Sequence, residues 1–426
     1  MLKISLVMCV VLFLGLFLAV LNPVFAQSEP LTLQWNEIYA VRSYNYRAVI
    51  PSSDGGFIIS VIKNITIAEG ASDLSLVKTD SVGGVEWIKN NPEFKMTPIM
   101  MCSVDSGYLL CYGYYNWSLL KVDSQGDFEW SRPFTLISDA AVTRQVSTIS
   151  GAKNDNYIMV IYESATRAKV CSSFFKYYNA NGDLLWEKTF SQIDINVVLP
   201  FDDAGDESYF VAGTQDGQFW FAKLDSTGEV VWSRTYGGYR HSAGWWLSFG
   251  SMIQTGDGGF LLGGGTSGEG WLVKTDCNGS EQWGRKYDSY IACVAEYNDG
   301  QFLVFSGSSI VCVNDYGREL WCEPYSKYVV DLDDLPEYTK AGVSYVSAGI
   351  GEEGNLVVVA SYWLDNGSGT AELGLWLASF AVDISSFASG DDALYRNVLL
   401  YGVMVVAVVV FVGCLVYLKK RRRHGL

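Results

Sequence analysis

The chain has 426 residues, of which 49% are hydrophobic and 14% aromatic, so it can bury a large core and is not an intrinsically disordered protein. Its two histidines, His241 and His424, are too few for a zinc site with three histidine ligands. The region from Gln27 to Arg396 carries 24 basic against 46 acidic side chains and therefore a net charge of −22, which disfavours nucleic acid as a partner.

The N-terminal segment has the features of a secretory signal. Residues 4–21 follow Lys3 and are almost wholly apolar. Val24 and Ala26 then place small residues at the two positions that a signal peptidase reads. We predict a signal peptide over residues 1–26, with an uncleaved membrane anchor as the alternative because the apolar run is long.

Two short patterns recur along the body of the chain. The first is a turn followed by an apolar run, as in Asp54-Gly-Gly-Phe57, and it occurs seven times. The second is Lys-x-Asp-x-x-Gly-x-x-x-Trp, clearest over 78–87 and 223–232, and it follows six of the seven copies. The runs between these turns are short, alternating and rich in β-branched and aromatic residues. This pattern predicts four β-strands in each repeat.

Four-stranded repeats of this length are typical of β-propellers. The last repeat, 343–381, has three strand-like runs, and Leu31–Ile38 is a strand without neighbours in sequence. Pairing this strand into the last repeat would close the ring and remove its open edges. We therefore predict an all-β fold, a seven-bladed propeller of four-stranded antiparallel sheets over residues 31–384, closed by the N-terminal strand.

An aromatic insertion separates the fourth and fifth repeats. It is rich in glycine and carries one arginine and one histidine, a composition suited to a loop that binds a sugar or a peptide. The alternative is a loop packed by its own aromatic side chains. The candidate binding residues are Tyr239, Arg240, His241, Trp245 and Trp246.

Two further groups of residues are candidate sites. The insertion over 325–342 carries Asp331, Asp333, Asp334 and Glu337, which would bind Ca²⁺ through hard oxygen ligands or else form a solvated acidic loop. We otherwise predict no cofactor and no metal. Four Asn-x-Ser/Thr sequons predict glycosylation where the host has the machinery. Their asparagines are Asn64, Asn116, Asn278 and Asn366.

Seven cysteines lie between the two apolar ends, an odd number that leaves at least one thiol free or intermolecular. Cys102 and Cys111 flank one turn, so a bridge across that hairpin is one possibility. Buried reduced thiols are the other, because a free cysteine behaves as a small hydrophobic residue.

The C-terminal segment predicts a membrane anchor. Val398–Leu418 is an uncharged run that spans about 30 Å as a helix, one bilayer core. Five basic residues follow it directly, which places the tail in the cytoplasm. We predict a juxtamembrane linker over 385–396, a transmembrane helix over 397–418 and a basic tail over 419–426, in a single-pass protein of the cell membrane with its N-terminal domain outside.

The stretch Leu224–Trp232 resembles the tryptophan-docking motif of the propeller repeats of quinoproteins, which bind pyrroloquinoline quinone. In that family an Asp, a Thr-Gly pair and a Trp recur in each blade, and the Trp stacks on the next blade. The resemblance implies this role for Trp35, Trp87, Trp130, Trp186, Trp232, Trp283 and Trp321.

The quinone activity is not implied by this resemblance. Those dehydrogenases have eight blades, a calcium-bound quinone and often an adjacent Cys pair, whereas this chain counts to seven repeats and has no adjacent pair. The strand Gly270–Asp276 and the ending Trp232–Gly238 also resemble uncharacterised membrane-anchored surface propeller proteins of archaea and bacteria.

The sequence favours a binding or scaffolding role over catalysis. We predict a cell-surface module that binds a protein, a glycan or an envelope component, and we assign no catalytic residue. The alternative is an extracellular enzyme, either a divergent quinoprotein dehydrogenase or a polysaccharide hydrolase or lyase. The fold does not decide between these classes.

Overall fold

The structure is a computed structural model, and one compact unit, Leu33–Ala381, holds nearly all of the residues that it describes. These residues are 31–39, 49–52, 54–62, 74–81, 84–91, 98–112, 117–136, 142–165, 170–237, 247–266, 268–298, 300–307, 309–324, 340–350, 356–365 and 371–382.

Six sheets are each built from four consecutive antiparallel strands. Sheet 1 contains β2 (Val49–Pro51), β3 (Phe57–Ile62), β4 (Leu74–Thr79) and β5 (Val85–Asn91). Sheet 2 contains β6 (Pro98–Val104), β7 (Gly107–Tyr112), β8 (Trp117–Asp123) and β9 (Phe128–Phe134). Sheet 3 contains β10 (Val142–Gly151), β11 (Tyr157–Ala165), β12 (Val170–Tyr178) and β13 (Leu184–Ser191), with a 3₁₀ turn over Lys153–Asp155.

The next three sheets repeat this arrangement. Sheet 4 contains β14 (Ile193–Asp203), β15 (Asp206–Gln215), β16 (Gln218–Leu224) and β17 (Val230–Tyr236). Sheet 5 contains β18 (Ser248–Gln254), β19 (Phe260–Thr266), β20 (Glu269–Thr275) and β21 (Glu281–Tyr287). Sheet 6 contains β22 (Ile291–Asn298), β23 (Gln301–Ser306), β24 (Ser309–Asn314) and β25 (Glu319–Pro324).

The last repeat differs from the other six, because its strands are not all consecutive in sequence. β26 (Lys340–Ile350), β27 (Leu356–Asp365) and β28 (Ala371–Val382) form a composite sheet with β1 (Leu31–Tyr39) at its outer edge. The described chain therefore has six blades of consecutive strands, where the repeat count predicts seven blades. The strand predicted over Leu31–Ile38 is present as β1 and completes the composite sheet.

Neighbouring sheets pack through their first strands, from β2 against β6 to β22 against β26. A bulge interrupts the middle of these strands, at Ser147 in β10 and Gly250 in β18. Ser147 Oγ donates to the carbonyl oxygen of Ile195 in the next sheet at 2.5 Å. A Cβ atom on Gly250 would lie 2.2 Å from the carbonyl oxygen of Ile291. The bulges thus bring the inner backbones into close contact.

Apolar side chains fill the space between neighbouring sheets. The cluster between sheets 3 and 4 includes Phe175, Tyr209 and Trp220, and the cluster between sheets 4 and 5 includes Phe221 and Phe260. Consecutive residues of a middle strand pack against opposite neighbours, as Trp220 and Phe221 do on β16, and the middle strands are therefore buried on both faces. Many of the aromatic residues of the sequence therefore pack between one sheet and the next.

Several predicted segments lie outside the described residues. These are the signal peptide 1–26, the linker 385–396, the transmembrane helix 397–418 and the tail 419–426. Among the residues that are described, no helix has the length and apolar character needed to cross a bilayer.

Candidate functional site: the cleft between the fourth and fifth sheets

Sheets 2 to 6 have the same turn between their third and fourth strands. In sheet 4, Asp225 Oδ1 accepts hydrogen bonds from the backbone N–H groups of Thr227 and Glu229, at 2.9 and 3.0 Å. Gly228 completes the turn with a φ of +79°, a conformation that favours glycine. A hydrogen bond from the hydroxyl group of Thr227, together with these two backbone hydrogen bonds, holds the pKa of Asp225 below its usual value. The aspartates of the repeat are thus structural, as the motif predicts.

The repeated tryptophans contact this turn in the next sheet. A Cβ atom on Gly228 would lie 2.7 Å from Cζ3 of Trp186, so the indole lies directly on the glycine. The same contact joins Trp87 to Gly126, Trp232 to Gly279 and Trp283 to Gly317. Trp130 packs in the cluster between sheets 2 and 3, and Trp321 is buried on β25. Trp35 lies on β1, and its side chain is outside the described residues.

The lysine of the repeat is the centre of a buried hydrogen-bond network, a role that was not predicted from the sequence. Lys274 is 0% exposed, and its Nζ donates to Asp257 at 2.7 Å, to the carbonyl oxygen of Thr275 at 3.1 Å and to Gln282 at 3.2 Å. Lys78 and Lys121 are buried in equivalent networks. The signal was present in the sequence, because a lysine recurs five positions before the turn glycine, as in Lys121 and Gly126 or Lys274 and Gly279.

Most of the other candidate residues lie outside the described part of the chain. This applies to the aromatic insertion with Tyr239, Arg240, His241, Trp245 and Trp246, to the acidic group Asp331, Asp333, Asp334 and Glu337, and to the sequons at Asn64, Asn116 and Asn366. Asn278 is described and is exposed in the turn between β20 and β21. Within the described ranges, no three His, Cys, Asp or Glu side chains are grouped for a metal ion.

The seven cysteines of the body are free thiols. Cys111 lies opposite Met100 in the β6–β7 pair, and Cys102 lies opposite Leu109. The bridge considered across this hairpin is therefore absent, because the two cysteines are not register partners. Both are buried, and burial raises the pKa of Cys102 to about 12.

A cleft of about 330 Å³ lies between sheets 4 and 5. We call it the Trp271 cleft, and we call the end of the sheets where it opens the loop end, because the β15–β16, β17–β18 and β19–β20 connections meet there. The turn end is the opposite one, with the Asp-x-x-Gly turns. The cleft is lined by Asp216, Gly217, Gln218, Phe219, Tyr236, Gly237, Leu247, Gly265, Thr266, Glu269, Gly270, Trp271 and Lys286.

Aromatic residues and glycines shape the Trp271 cleft. Phe219 and Tyr236 are buried in the cluster between the two sheets, and Trp271 packs against that cluster while it is partly exposed. β19 contains the run Gly263–Gly265. A Cβ atom on Gly264 would lie 2.5 Å from the carbonyl oxygen of Ser248 and 3.0 Å from the Phe219 ring. The glycines therefore allow the strands to approach closely beneath the cleft.

Polar groups surround this aromatic floor. Lys286 Nζ lies 5.5 Å from the centre of the Trp271 ring. Gln218 donates from its side-chain amide to the carbonyl oxygen of Gly237. Asp216 and Glu269 add carboxylates at the same end of the sheets. An aromatic surface bordered by amide, carboxylate and ammonium groups suits a small ligand that has both an apolar face and hydroxyl or amide groups.

A second groove, of about 550 Å³, lies at the turn end across sheets 2, 3 and 4. Its charged groups bond to one another. Lys153 Nζ contacts Asp202 at 2.7 Å, its backbone N–H donates to Glu207 at 2.7 Å, and Asp105 accepts from the N–H of Asn154 at 2.8 Å. These bonds run from one sheet to the next, so the groove's polar groups serve the packing of the sheets.

Comparison with known proteins finds relatives by fold and not by sequence. No protein-family model matches the chain, and no curated protein sequence matches it. A chain of the mitotic checkpoint complex is 10% identical, covers 85% of this chain and 94% of its own length, and has a TM-score of 0.51. The WD40 domain of Neurospora crassa Pan2 is 10% identical, covers 82% and 96%, and has a TM-score of 0.49.

A catalytically inactive virginiamycin B lyase from Staphylococcus aureus, solved with quinupristin, is 9% identical, covers 81% and 99%, and has a TM-score of 0.46. Four-stranded sheets that pack in sequence through their first strands are the arrangement of a propeller, and the mitotic checkpoint chain supports it. The chain is a β-propeller. At these identities the likeness concerns the fold alone, and the resemblance to quinoprotein repeats stays a prediction.

Proposed function

We propose that this β-propeller is a cell-surface binding module that binds a glycan in the Trp271 cleft. The proposal rests on the cleft itself, which combines a partly exposed indole with amide, carboxylate and ammonium groups. Its volume of about 330 Å³ is in the range of small-ligand sites, about 300–1,000 Å³, and suits one or two sugar rings. A stable protein interface would instead need a surface of about 800 Å² on each partner. The cleft is also bordered by Gly237 and Leu247, the residues on either side of the aromatic insertion 238–246.

Binding of the full-length chain in lipid nanodiscs to an array of defined glycans tests this proposal. We expect Trp271→Ala to weaken binding about tenfold or more, because an aromatic residue at the centre of a site carries a large share of the affinity. Glu269→Gln, at the rim, should weaken it less and leave folding intact. Tyr316→Ala, which removes an exposed aromatic side chain at the turn end, is the matched control and should bind as the unmodified chain does.

Trp271→Ala and Glu269→Gln variants that bind the glycan as tightly as the unmodified chain does would overturn the assignment of the cleft. An array without any bound glycan would overturn the glycan as ligand. A protein partner is the second candidate, supported by the propeller-like chain that takes part in the mitotic checkpoint complex. Binding of defined peptides by the same chain, with loss in Trp271→Ala, would favour that candidate.

We further propose that the composite sheet closes the ring as its seventh blade, and that the helix predicted over 397–418 holds the propeller at the outer face of the cell membrane. The charge pattern supports this orientation, because the basic tail Lys419–Arg423 directly follows the apolar run. The acidic body, with its net charge of −22, suits the aqueous side of an anionic membrane.

Thiol labelling of intact cells tests the location. Cys277 and Cys322 are exposed, so we expect a membrane-impermeant maleimide to label both without lysis. Cys102 and Cys111 should stay unlabelled until the protein is denatured, because both are buried and protonated. Replacing both exposed cysteines with serine should remove most of the signal and leave only the weaker labelling of the partly exposed Cys171. Labelling that requires lysis would contradict the extracellular position.

A further inference from the structure

Sheet 6 departs from the other sheets at the positions that surround its turns. Tyr316 lies in the Asp-x-x-Gly turn, where the equivalent residues of the other repeats are Val82, Gln125, Asn181, Thr227 and Asn278. Asp315 precedes it, where the others have Ser81, Ser124, Ala180, Ser226 and Cys277. The turn itself is unchanged, because Asn314 Oδ1 accepts from the N–H groups of Tyr316 and Arg318 as in the other sheets. The two substitutions are therefore not needed for the turn.

Two further departures occur on the neighbouring strands. Glu296 pairs with Phe302, and the residues at this position in sheets 1 to 5 are Pro51, Ser103, Gly151, Pro200 and Gln254. Gln301 precedes Phe302, where sheets 1, 2 and 5 have glycines packed against a backbone carbonyl. Sheet 6 thus places an acid where sheets 1 to 5 have none, and an amide where sheets 1, 2 and 5 have glycine and sheet 3 has Asn156.

These four residues line one cavity of about 440 Å³ at the turn end, between sheets 5 and 6. We call it the Tyr316 cleft. It also contains Gly256 and Asp257 of sheet 5. The equivalent positions of sheet 2, which are Ser103, Gly107 and Ser124, also line a groove together, so the repeat itself brings these positions into proximity. Sheet 6 differs in the chemistry at these positions, which is two carboxylates, an amide and an exposed tyrosine.

The residues that line the cleft provide acceptors and an aromatic surface, and none of them is basic. The guanidinium of Arg285 is outside this lining, where it donates to the carbonyl oxygen of Tyr316 at 3.0 Å. Tyr316 is 76% exposed, the largest exposed fraction among the large hydrophobic side chains described. The Oε1 atom of Gln301 is shielded from solvent and has no hydrogen-bond partner in the described structure. Glu296 accepts the N–H of Gly256 at 2.7 Å and lines the cavity wall. Lys274 is bonded to Asp257 and is itself fully buried.

We propose that the Tyr316 cleft binds the guanidinium group of an arginine side chain in a partner peptide. A guanidinium presents five N–H donors in one plane, which matches the carboxylate oxygens of Glu296 and Asp315 that line the cleft. Its flat cation also stacks on an aromatic ring such as that of Tyr316. A metal ion fits less well, because the described acidic side chains are not grouped as metal ligands are.

Isothermal titration of the full-length chain in nanodiscs with the peptide acetyl-Gly-Arg-Gly-amide tests this proposal. The matched ligand has citrulline in place of arginine, which keeps the shape and removes the charge. We expect the arginine peptide to bind at least tenfold more tightly than the citrulline peptide. Asp315→Asn and Glu296→Gln should each weaken it about five- to tenfold, and Tyr316→Ala about fivefold, the range of a lost charge partner or cation–π contact.

Gln125→Ala changes the residue that occupies the Tyr316 position in sheet 2, and it should bind as the unmodified chain does. Trp271→Ala should also leave binding of the arginine peptide unchanged, so failure here and failure of the proposed function are distinguishable. Equal binding of the two peptides would overturn the proposal. The proposal would also be overturned if the Asp315 and Tyr316 variants bound the arginine peptide as tightly as the unmodified chain does. A loss of affinity in Gln125→Ala as large as the loss in those variants would overturn it too.

Discussion

Replacing Gly228 with alanine is expected to destabilise the protein by about 2–5 kcal/mol, the largest effect of any single substitution considered for the fold. Gly228 has a φ of +79°, and an L-residue in this conformation costs about 1–2 kcal/mol. The new methyl group would also lie 2.7 Å from the Trp186 indole, and overpacking of this kind costs about 1–3 kcal/mol. Urea denaturation followed by tryptophan fluorescence measures the change.

A second glycine separates these two causes. Gly258 has a φ of +81°, and a Cβ atom there would meet nothing within 4 Å. Gly258→Ala should therefore show the conformational cost alone, about 1–2 kcal/mol. In a chain that also carries Trp186→Ala, the excess cost of Gly228→Ala over Gly258→Ala should disappear. Equal costs for the two glycine variants in the unmodified chain would show that the indole does not dock on this turn.

Replacing Lys274 with methionine is expected to cost about 2–4 kcal/mol. The change removes a donor from three acceptors and leaves the carboxylate of Asp257 without its cation. Loss of one partner from a wholly buried pair costs about 3–5 kcal/mol, and the lower figure here allows for Asp257, which is 44% exposed and is screened by water. Lys223→Met is the control, because Lys223 pairs with Asp203 at 2.7 Å but is 21% exposed. Its cost should be below about 1 kcal/mol.

The same pair predicts how stability depends on pH. Partial burial opposes the charge on Asp257, but hydrogen bonds from Lys274, Thr255 and Gly259 outweigh it and lower its pKa from 3.8 to about 2. The folded state therefore holds this charge at a lower pH than the unfolded state does. The contribution is complete above pH 4 and is lost as the pH falls towards 2. Melting temperatures from pH 5 to 2 should fall less steeply in Lys274→Met than in the unmodified chain, and parallel curves would contradict the role of the pair.

The features that repeat in the structure were predictable from the sequence. A tryptophan that docks on a glycine of the next sheet needs both residues at a fixed spacing in every repeat, as Trp186 and Gly228 show. The four strands of each repeat were predicted for the same reason, and β1 was predicted from an unpaired run and an incomplete last repeat. Contacts that repeat from one sheet to the next therefore appear as a repeat in the sequence.

The clefts were not predictable in this way, because they arise where the pattern breaks. Glu296 and Tyr316 become neighbours only through the register of sheet 6, and Asp257 reaches them from sheet 5. Trp271 is one tryptophan among many in the sequence, and only the fold places it beside Tyr236 and Lys286 at the cleft. Departures from a repeat can be read in the sequence, but their convergence is a property of the fold.

Hydrogen–deuterium exchange of the full-length chain, with and without the glycan that binds most tightly on the array, tests the assignment of the Trp271 cleft most directly. We expect the bound glycan to slow exchange at residues 216–219 and 265–271, which line the cleft, and to leave residues 314–318 at the turn end unchanged. Protection confined to the turn end, or none at the Trp271 cleft, would contradict the assignment.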